Sequence, residues 1–179
     1  MPNNKLPPDL KKEILAGKIF IYPTDTLYGI GCDATNEKSV ERIKEIKTRD
    51  KDKPLSVIAP NTTWILENFQ VKLEELEKYL PGPYTLLLKK KEINFLPWIS
   101  SNDRVGIRIP SNKFTQEIQK SKVPFVTTSV NLSGEAFALK IEDIKKEIVD
   151  KVDHIIETKE ELSGKPSTLI IDGKPLERK

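Results

Sequence analysis

Three observations predict a single α/β domain built on a mixed sheet. Helical and strand patterns alternate along the chain, several connections are too short for a helical crossover, and 179 residues suffice for one core. A chain of this length buries roughly two-thirds of the surface its unfolded form exposes, so neither disulfides nor structural metals are needed to hold it. With one Cys and one His, a disulfide framework, paired-thiolate zinc or iron–sulfur sites and multi-His metal centres are excluded. The excess of 30 Lys plus Arg over 27 Asp plus Glu is only +3, too small to argue for nucleic acid by itself. Residues 1–10 hold two Asn and three Pro and no apolar stretch of the kind a secretory signal needs. No apolar run approaches the roughly 20 residues that span a bilayer, and a lone thiol suits a reducing compartment. A cytoplasmic location with no membrane partner is therefore expected.

The elements follow in order. Residues 8–16 carry a short helical pattern closed by Gly17, and the β-branched and aromatic run 18–22 reads as a strand. Asn36 can cap a helix that places Val40, Ile43 and Ile46 on one face, with Lys47 and Arg49 at or just past its end. Residues 55–59, apolar between Pro54 and Pro60, read as a buried strand. Helical segments at 62–68 and 72–80 are closed by Pro81-Gly82-Pro83. Residues 84–88 and 104–109 read as strands, 112–120 as a helix, and 124–128 as a strand entering the polar loop 129–134. An amphipathic helix over 141–149 and strands at 154–157 and 168–172 complete the chain. No repeat, linker or low-complexity tract interrupts it, so residues 1–179 are read as one domain.

Gly29-Ile30-Gly31-Cys32-Asp33-Ala34 matches the dinucleotide pattern G-x-G-x-x-A, but there the glycines directly follow a strand and an acid ends the next one. Here Pro23-Thr24-Asp25-Thr26 intervenes and Asp52 precedes the next apolar run, so the segment is read as a tight turn needing positive φ. Gly164-Lys165-Pro166-Ser167 lacks the spacing of a phosphate-binding loop. Arginine is scarce, five against 25 lysines, at positions 42, 49, 104, 108 and 178. It is the residue for planar recognition of carboxylate and phosphate. Arg104 and Arg108, four apart in a strand, share a face and invite an anion or pair with acidic neighbours. Lys47, Arg49 and Lys53, taken alone, read as a solvated face that complements the helix dipole. Ser129, Asn131 and the Ser133-Gly134 pair offer polar groups that bind a substrate or close a turn, and Ser167-Thr168 is equally open. His154 reads as a structural residue on a strand and Cys32 as a small buried hydrophobe. Without imidazole or thiolate chemistry, the enzyme class left open is nucleotidyl or phosphoryl transfer, where positioning and cationic charge carry the reaction.

Taken in order, the segments resemble the threonylcarbamoyl-AMP synthase family, the YrdC or TsaC type. The matching stretches are residues 22–34, Lys47-Thr48-Arg49 with Lys53-Pro54-Leu55, 81–85, 105–110, 128–134 and 167–172, spread over about residues 20–178. The resemblance implies a twisted mixed sheet with helices around a basic concave cavity. It also implies a reaction joining L-threonine, bicarbonate or CO₂, and ATP carrying Mg²⁺ into threonylcarbamoyl-AMP and pyrophosphate. The product would feed threonylcarbamoyladenosine modification of tRNA, with downstream proteins performing the transfer, and tRNA itself is a possible partner. No metal ligand from the protein is implied, since Mg²⁺ is bound through the ATP phosphates.

By the same resemblance Lys47 and Arg49 are the catalytic cations, facing the phosphates and the carbamate. Thr26, Arg108, Ser129 and Ser167 bind threonine, with Arg108 on its carboxylate. Arg49, Lys53, Arg104, Asn131 and Arg178 contact ATP. The chain departs from the family pattern at Asp50, where many members have Pro, at Val130 in place of Ala, and at Ile58, where longer members carry a His. By the resemblance it is expected to be the short form, without the extra carboxy-terminal domain of the longer subfamily. The main alternative is a relative of the same fold that binds RNA through the cavity, and such relatives typically lose the S-x-N element that this chain keeps. A hydrogenase-maturation carbamoyltransferase domain would bring acylphosphatase and zinc-finger segments that are not present.

Overall fold

The computed structural model describes residues 6–50, 52–132 and 134–176. Ten strands form one mixed sheet, and helices cover both of its faces. The chain opens with α1 (Leu10–Leu15), in which the Asp9 carboxylate accepts from the Lys12 amide, and Gly17 at φ +75° turns it into β1 (Phe20–Pro23). β1 alternates strictly: Ile19 and Ile21 face one core, Phe20 and Tyr22 the other. After β2 (Tyr28–Gly31) comes α2 (Glu37–Ile46), whose Asn36 cap accepts from the Ser39 amide and whose Val40, Ile43 and Ile46 are buried as the spacing requires. The remaining elements are β3 (Ser56–Ile58), α3 (Thr62–Asn68), β4 (Phe69–Gln70), α4 (Leu73–Tyr79), β5 (Tyr84–Lys90) and β6 (Arg104–Arg108). They are followed by α5 (Lys113–Ser121), β7 (Phe125–Ser129), α6 (Lys146–Val149), β8 (His154–Ile155), β9 (Thr168–Ile171) and β10 (Lys174–Leu176).

The strand order is β10-β9-β5-β6-β3-β7-β2-β1-β8, with β4 also paired to β5. β1–β8, β3–β6 and β5–β9 are parallel, the other pairs antiparallel. On one face α1 and α5 cover an aromatic group in which Phe20 meets Phe125 edge-on at 5.9 Å and Tyr22 meets Phe114 at 4.9 Å. The other face holds the larger core, under α2, α3 and α4.

Three expectations are corrected. The segment Tyr28–Gly31 is a strand between β1 and β7, not a turn, and neither Gly29 nor Gly31 has positive φ. The glycines serve close approach instead: a Cβ on Gly31 would lie 2.0 Å from the Val126 carbonyl oxygen and 2.5 Å from the Phe125 ring. Gly31→Ala is expected to destabilise the protein by about 3 kcal/mol or more, since a well-packed strand pair has to separate; urea unfolding checks it. The expected helix over 141–149 is broken into a 3₁₀ turn, Ile141–Asp143, and the short α6. Asp143 turns its carboxylate back onto the Leu139 and Lys140 amides, and Ile144 then leaves helical geometry at ψ 127°. The strand expected at 154–157 is limited to two residues. There His154 does the structural work expected of it, stacked on Phe20 at 4.8 Å with Nε2 2.9 Å from Glu13 Oε2.

Candidate active site

A cavity of about 220 Å³ lies over the central strands. Its floor comes from the sheet: Gly29 of β2, Ser56 of β3, Thr85 of β5, Arg108 at the end of β6 and residues 127–129 of β7. Its walls come from the 24–27 turn, from Arg49 and Pro54 beyond α2, from Phe137, and from Pro166 and Ser167 before β9. These segments are far apart in sequence, and the antiparallel pairing of β2 with β7 and β7 with β3 brings them together.

Hydroxyl groups dominate the lining. In the 24–27 turn, Thr24 Oγ1 donates to the Leu27 carbonyl at 2.8 Å and accepts from the Thr26 and Leu27 amides. The Thr24 and Thr26 hydroxyls lie 2.9 Å apart. Thr26 itself lines the cavity. Across the cavity the Thr85 and Ser167 hydroxyls lie 2.7 Å apart, both nearly buried. The strap that carries Ser167 is tied down where the Gly164 amide donates to the Thr26 carbonyl at 3.1 Å.

Two guanidinium groups line this cavity. Arg108, 9% exposed at its side chain, donates from Nη2 to Asp25 Oδ1 at 2.9 Å, while Asp25 Oδ2 accepts from the Ser111 amide at 3.0 Å. Asp25 therefore orients the arginine and offsets part of its charge. The sequence reading passed over Asp25 as a residue interrupting a glycine motif; the available signal was an acid flanked by two threonines immediately after a strand. Arg49, which also lines the cavity, donates from Nη2 to the Pro54 carbonyl at 2.7 Å.

Lys47 corrects the reading of its charge cluster as a solvated face. It is 2% exposed, is not part of the cavity lining, and donates from Nζ to the Ser129 carbonyl and, at 2.7 Å, to the Asn131 carbonyl. As the cap residue after α2, it pins the loop beyond β7 from beneath. In that loop the Ser129 hydroxyl donates to Asn131 Oδ1 and Asn131 Nδ2 donates to the Glu135 carbonyl at 2.7 Å. Burial, with Arg49 and Lys53 nearby, lowers the Lys47 pKa to about 7 against the hold of the carbonyls. The unfolded chain then binds a proton between about pH 7 and 10.5 that the folded chain does not, so this group adds stability as pH rises through that window. Against Lys47→Met, the wild type is expected to gain at most about 1.4 kcal/mol per pH unit there. Urea unfolding of both proteins at pH 7 and 9 measures it.

The structure thus gathers Thr26, Arg49, Arg108, Ser129 and Ser167 around one cavity, with Lys47 and Asn131 directly behind its wall. Lys53 is exposed, with its carbonyl accepting from Arg49 Nε at 3.5 Å. Arg104 is not part of the lining: it donates to Asp172 Oδ1 at 2.9 Å and to the Leu87 carbonyl at 3.1 Å. It shares a strand face with Arg108, but four residues of strand separate the two by roughly 13 Å. Arg178 lies outside the described residues.

Comparison with known proteins gives a consistent picture. The Sua5/YciO/YrdC family model, described as "Telomere recombination", matches residues 12–176. A putative threonylcarbamoyl-AMP synthase of Methanocaldococcus jannaschii is 43% identical over 164 residues, 90% of this chain and 77% of that protein. The human threonylcarbamoyl-AMP synthase is 34% identical over 136 residues, 74% of this chain and 49% of the human one. The crystal structure of Pyrococcus abyssi Sua5 complexed with L-threonine superposes with a TM-score of 0.81 at 29% identity, covering 92% of this chain and 50% of Sua5. The chain therefore spans about half the length of two of these relatives and about three quarters of the third.

Proposed function

The chain belongs to the Sua5/YciO/YrdC family, and from that membership we propose that it is a threonylcarbamoyl-AMP synthase, a nucleotidyltransferase that uses L-threonine, bicarbonate or CO₂, and ATP. The observation that carries this reading is the cavity itself. It is smaller than the roughly 300–1,000 Å³ of pockets that enclose drug-sized ligands, it is lined by hydroxyls, and it holds a buried, pre-oriented Arg108. Such a site suits a small hydroxy amino acid.

In this reading Arg108 takes the threonine carboxylate, while Thr26 accepts from its amine or hydroxyl. The unprotonated amine attacks CO₂, forming the N–C bond of a carbamate and releasing one proton. A carbamate oxygen then attacks the α-phosphorus of ATP in line, and the bond to the β-phosphate oxygen breaks to release pyrophosphate. Arg49 donors preset at the cavity edge meet the charge that moves in this step, and Lys47 holds Ser129 and Asn131 in place for it. Mg²⁺ arrives on the ATP phosphates as part of the substrate. Among the described residues no helix is long and apolar enough to cross a membrane, and the reading places the enzyme in the cytoplasm. There its product would pass to the proteins that modify tRNA.

The test is pyrophosphate release from Mg-ATP and bicarbonate, with and without L-threonine, and rapid mass spectrometry of the nucleotide product. Threonine-dependent pyrophosphate with a threonylcarbamoyl-AMP mass supports the reading. Folded protein that binds RNA but makes no adenylate overturns it.

A further inference from the structure

Phe137 lines the cavity and is 43% exposed. Of the large apolar side chains exposed among the described residues it is the one at this site; the others, such as Leu15, Leu73 and Ile93, lie elsewhere. An exposed phenyl ring on a loose loop would signify little, but this loop is held on both sides of the ring. Before it, the Glu135 carbonyl accepts from Asn131 Nδ2 at 2.7 Å and the Glu135 carboxylate pairs with Lys145. After it, the Ala138 carbonyl accepts from the Tyr28 amide at 3.1 Å, and the Leu139 amide donates to Asp143 at 3.2 Å. Ala138 itself is buried. The chain thus presents a flat apolar face to solvent from a fixed backbone, at the edge of a polar cavity.

The order of the bonds in the proposed product decides what can cover that face. With the threonine carboxylate on Arg108, the carbamate, the α-phosphate and the ribose stand between the threonine and the base, so the base lies at the far end of the adduct, away from Arg108 and toward the rim. We propose that Phe137 is the platform on which the adenine ring of ATP stacks. The proposal rests on the synthase reading and deepens it by naming where the base goes. The Glu135 carbonyl, two residues before the ring, accepts from Asn131, so base stacking and the polar contacts of the S-x-N element are linked by this bond. Stacking uses a π-face that every base has, so this contact supplies affinity without choosing between purines.

Calorimetry with Mg-ATP and with L-threonine, titrated separately and without bicarbonate, tests it on the wild type, Phe137→Ala and Phe137→Tyr. Loss of a base stack predicts about tenfold weaker ATP binding in Phe137→Ala, a similar loss for GTP, and a threonine affinity changed less than twofold. Phe137→Tyr keeps the ring and should match the wild type. In Phe137→Trp, ATP should quench the added indole emission while threonine alone leaves it unchanged. Unaltered ATP binding in Phe137→Ala, or threonine binding weakened as much as ATP binding, overturns the platform. A wild type that makes the adenylate while Phe137→Ala binds ATP equally well removes the platform alone. A wild type that binds neither substrate removes the synthase reading and the platform with it.

Discussion

Replacing Lys47 by Met is expected to lower threonine-dependent pyrophosphate release by about 10²–10³-fold while the protein still folds. Methionine keeps the length and apolar stem of the side chain but carries no donor, so the Ser129 and Asn131 carbonyls lose the ammonium that holds them. The Ser129 carbonyl keeps the Asn131 amide at 3.1 Å, whereas leaving the Asn131 carbonyl without its donor costs about 1–3 kcal/mol. Removing a charge whose burial is already unfavourable offsets part of that cost. The net effect falls on the shape of the loop more than on the fold. Arginine should not restore activity, because a planar fork cannot converge on two carbonyls as a compact ammonium does. Arg49→Ala should give a loss of the same order from a different cause, since its guanidinium lines the cavity itself. Pyrophosphate assays with a parallel urea titration measure both; full activity in either variant rejects the assigned role.

Arg108→Ala is expected to weaken L-threonine binding by about 10–100-fold, the worth of a charge-assisted hydrogen bond to a carboxylate, and to change ATP binding much less. It should also cost about 3–5 kcal/mol of stability, because Asp25, 14% exposed, is left as an uncompensated carboxylate. The two effects separate in the double variant Asp25→Asn/Arg108→Met. Removing both charges should recover most of the stability and none of the threonine affinity. Calorimetry showing equal losses for threonine and ATP would count against the carboxylate assignment.

Much of the fold was legible because local rules and packing agree. Asn36 accepts from the Ser39 amide as its position suggests, and the helix between Asn36 and Lys47 buries the three residues its period selects. β2 was not legible. Gly29 and Gly31 look like turn residues in isolation, and their reason for being glycine is the Tyr22 ring on β1 together with the Phe125 ring and β7 carbonyls, which come from a distant part of the chain. The helix expected at 141–149 failed for a similar reason, since its apolar spacing is real but Asp143 is used to cap the chain before it.

The sequence by itself determined the α/β class, the Asn36 cap, the buried face of α2 and, through six short matches in order, the family. Tertiary structure alone decided which cations enter the site. Arg104 and Arg108 share a strand face, yet Asp172 takes one and the cavity the other. Lys47 looks like a surface charge and is buried, because the loop after β7 turns two carbonyls toward it. Burial and partner choice depend on groups brought together by strands that pair across 70 to 100 residues, as β2 and β3 do with β7. A sequence pattern of period two or 3.6 reports which side of an element a residue occupies. It does not report what waits on that side.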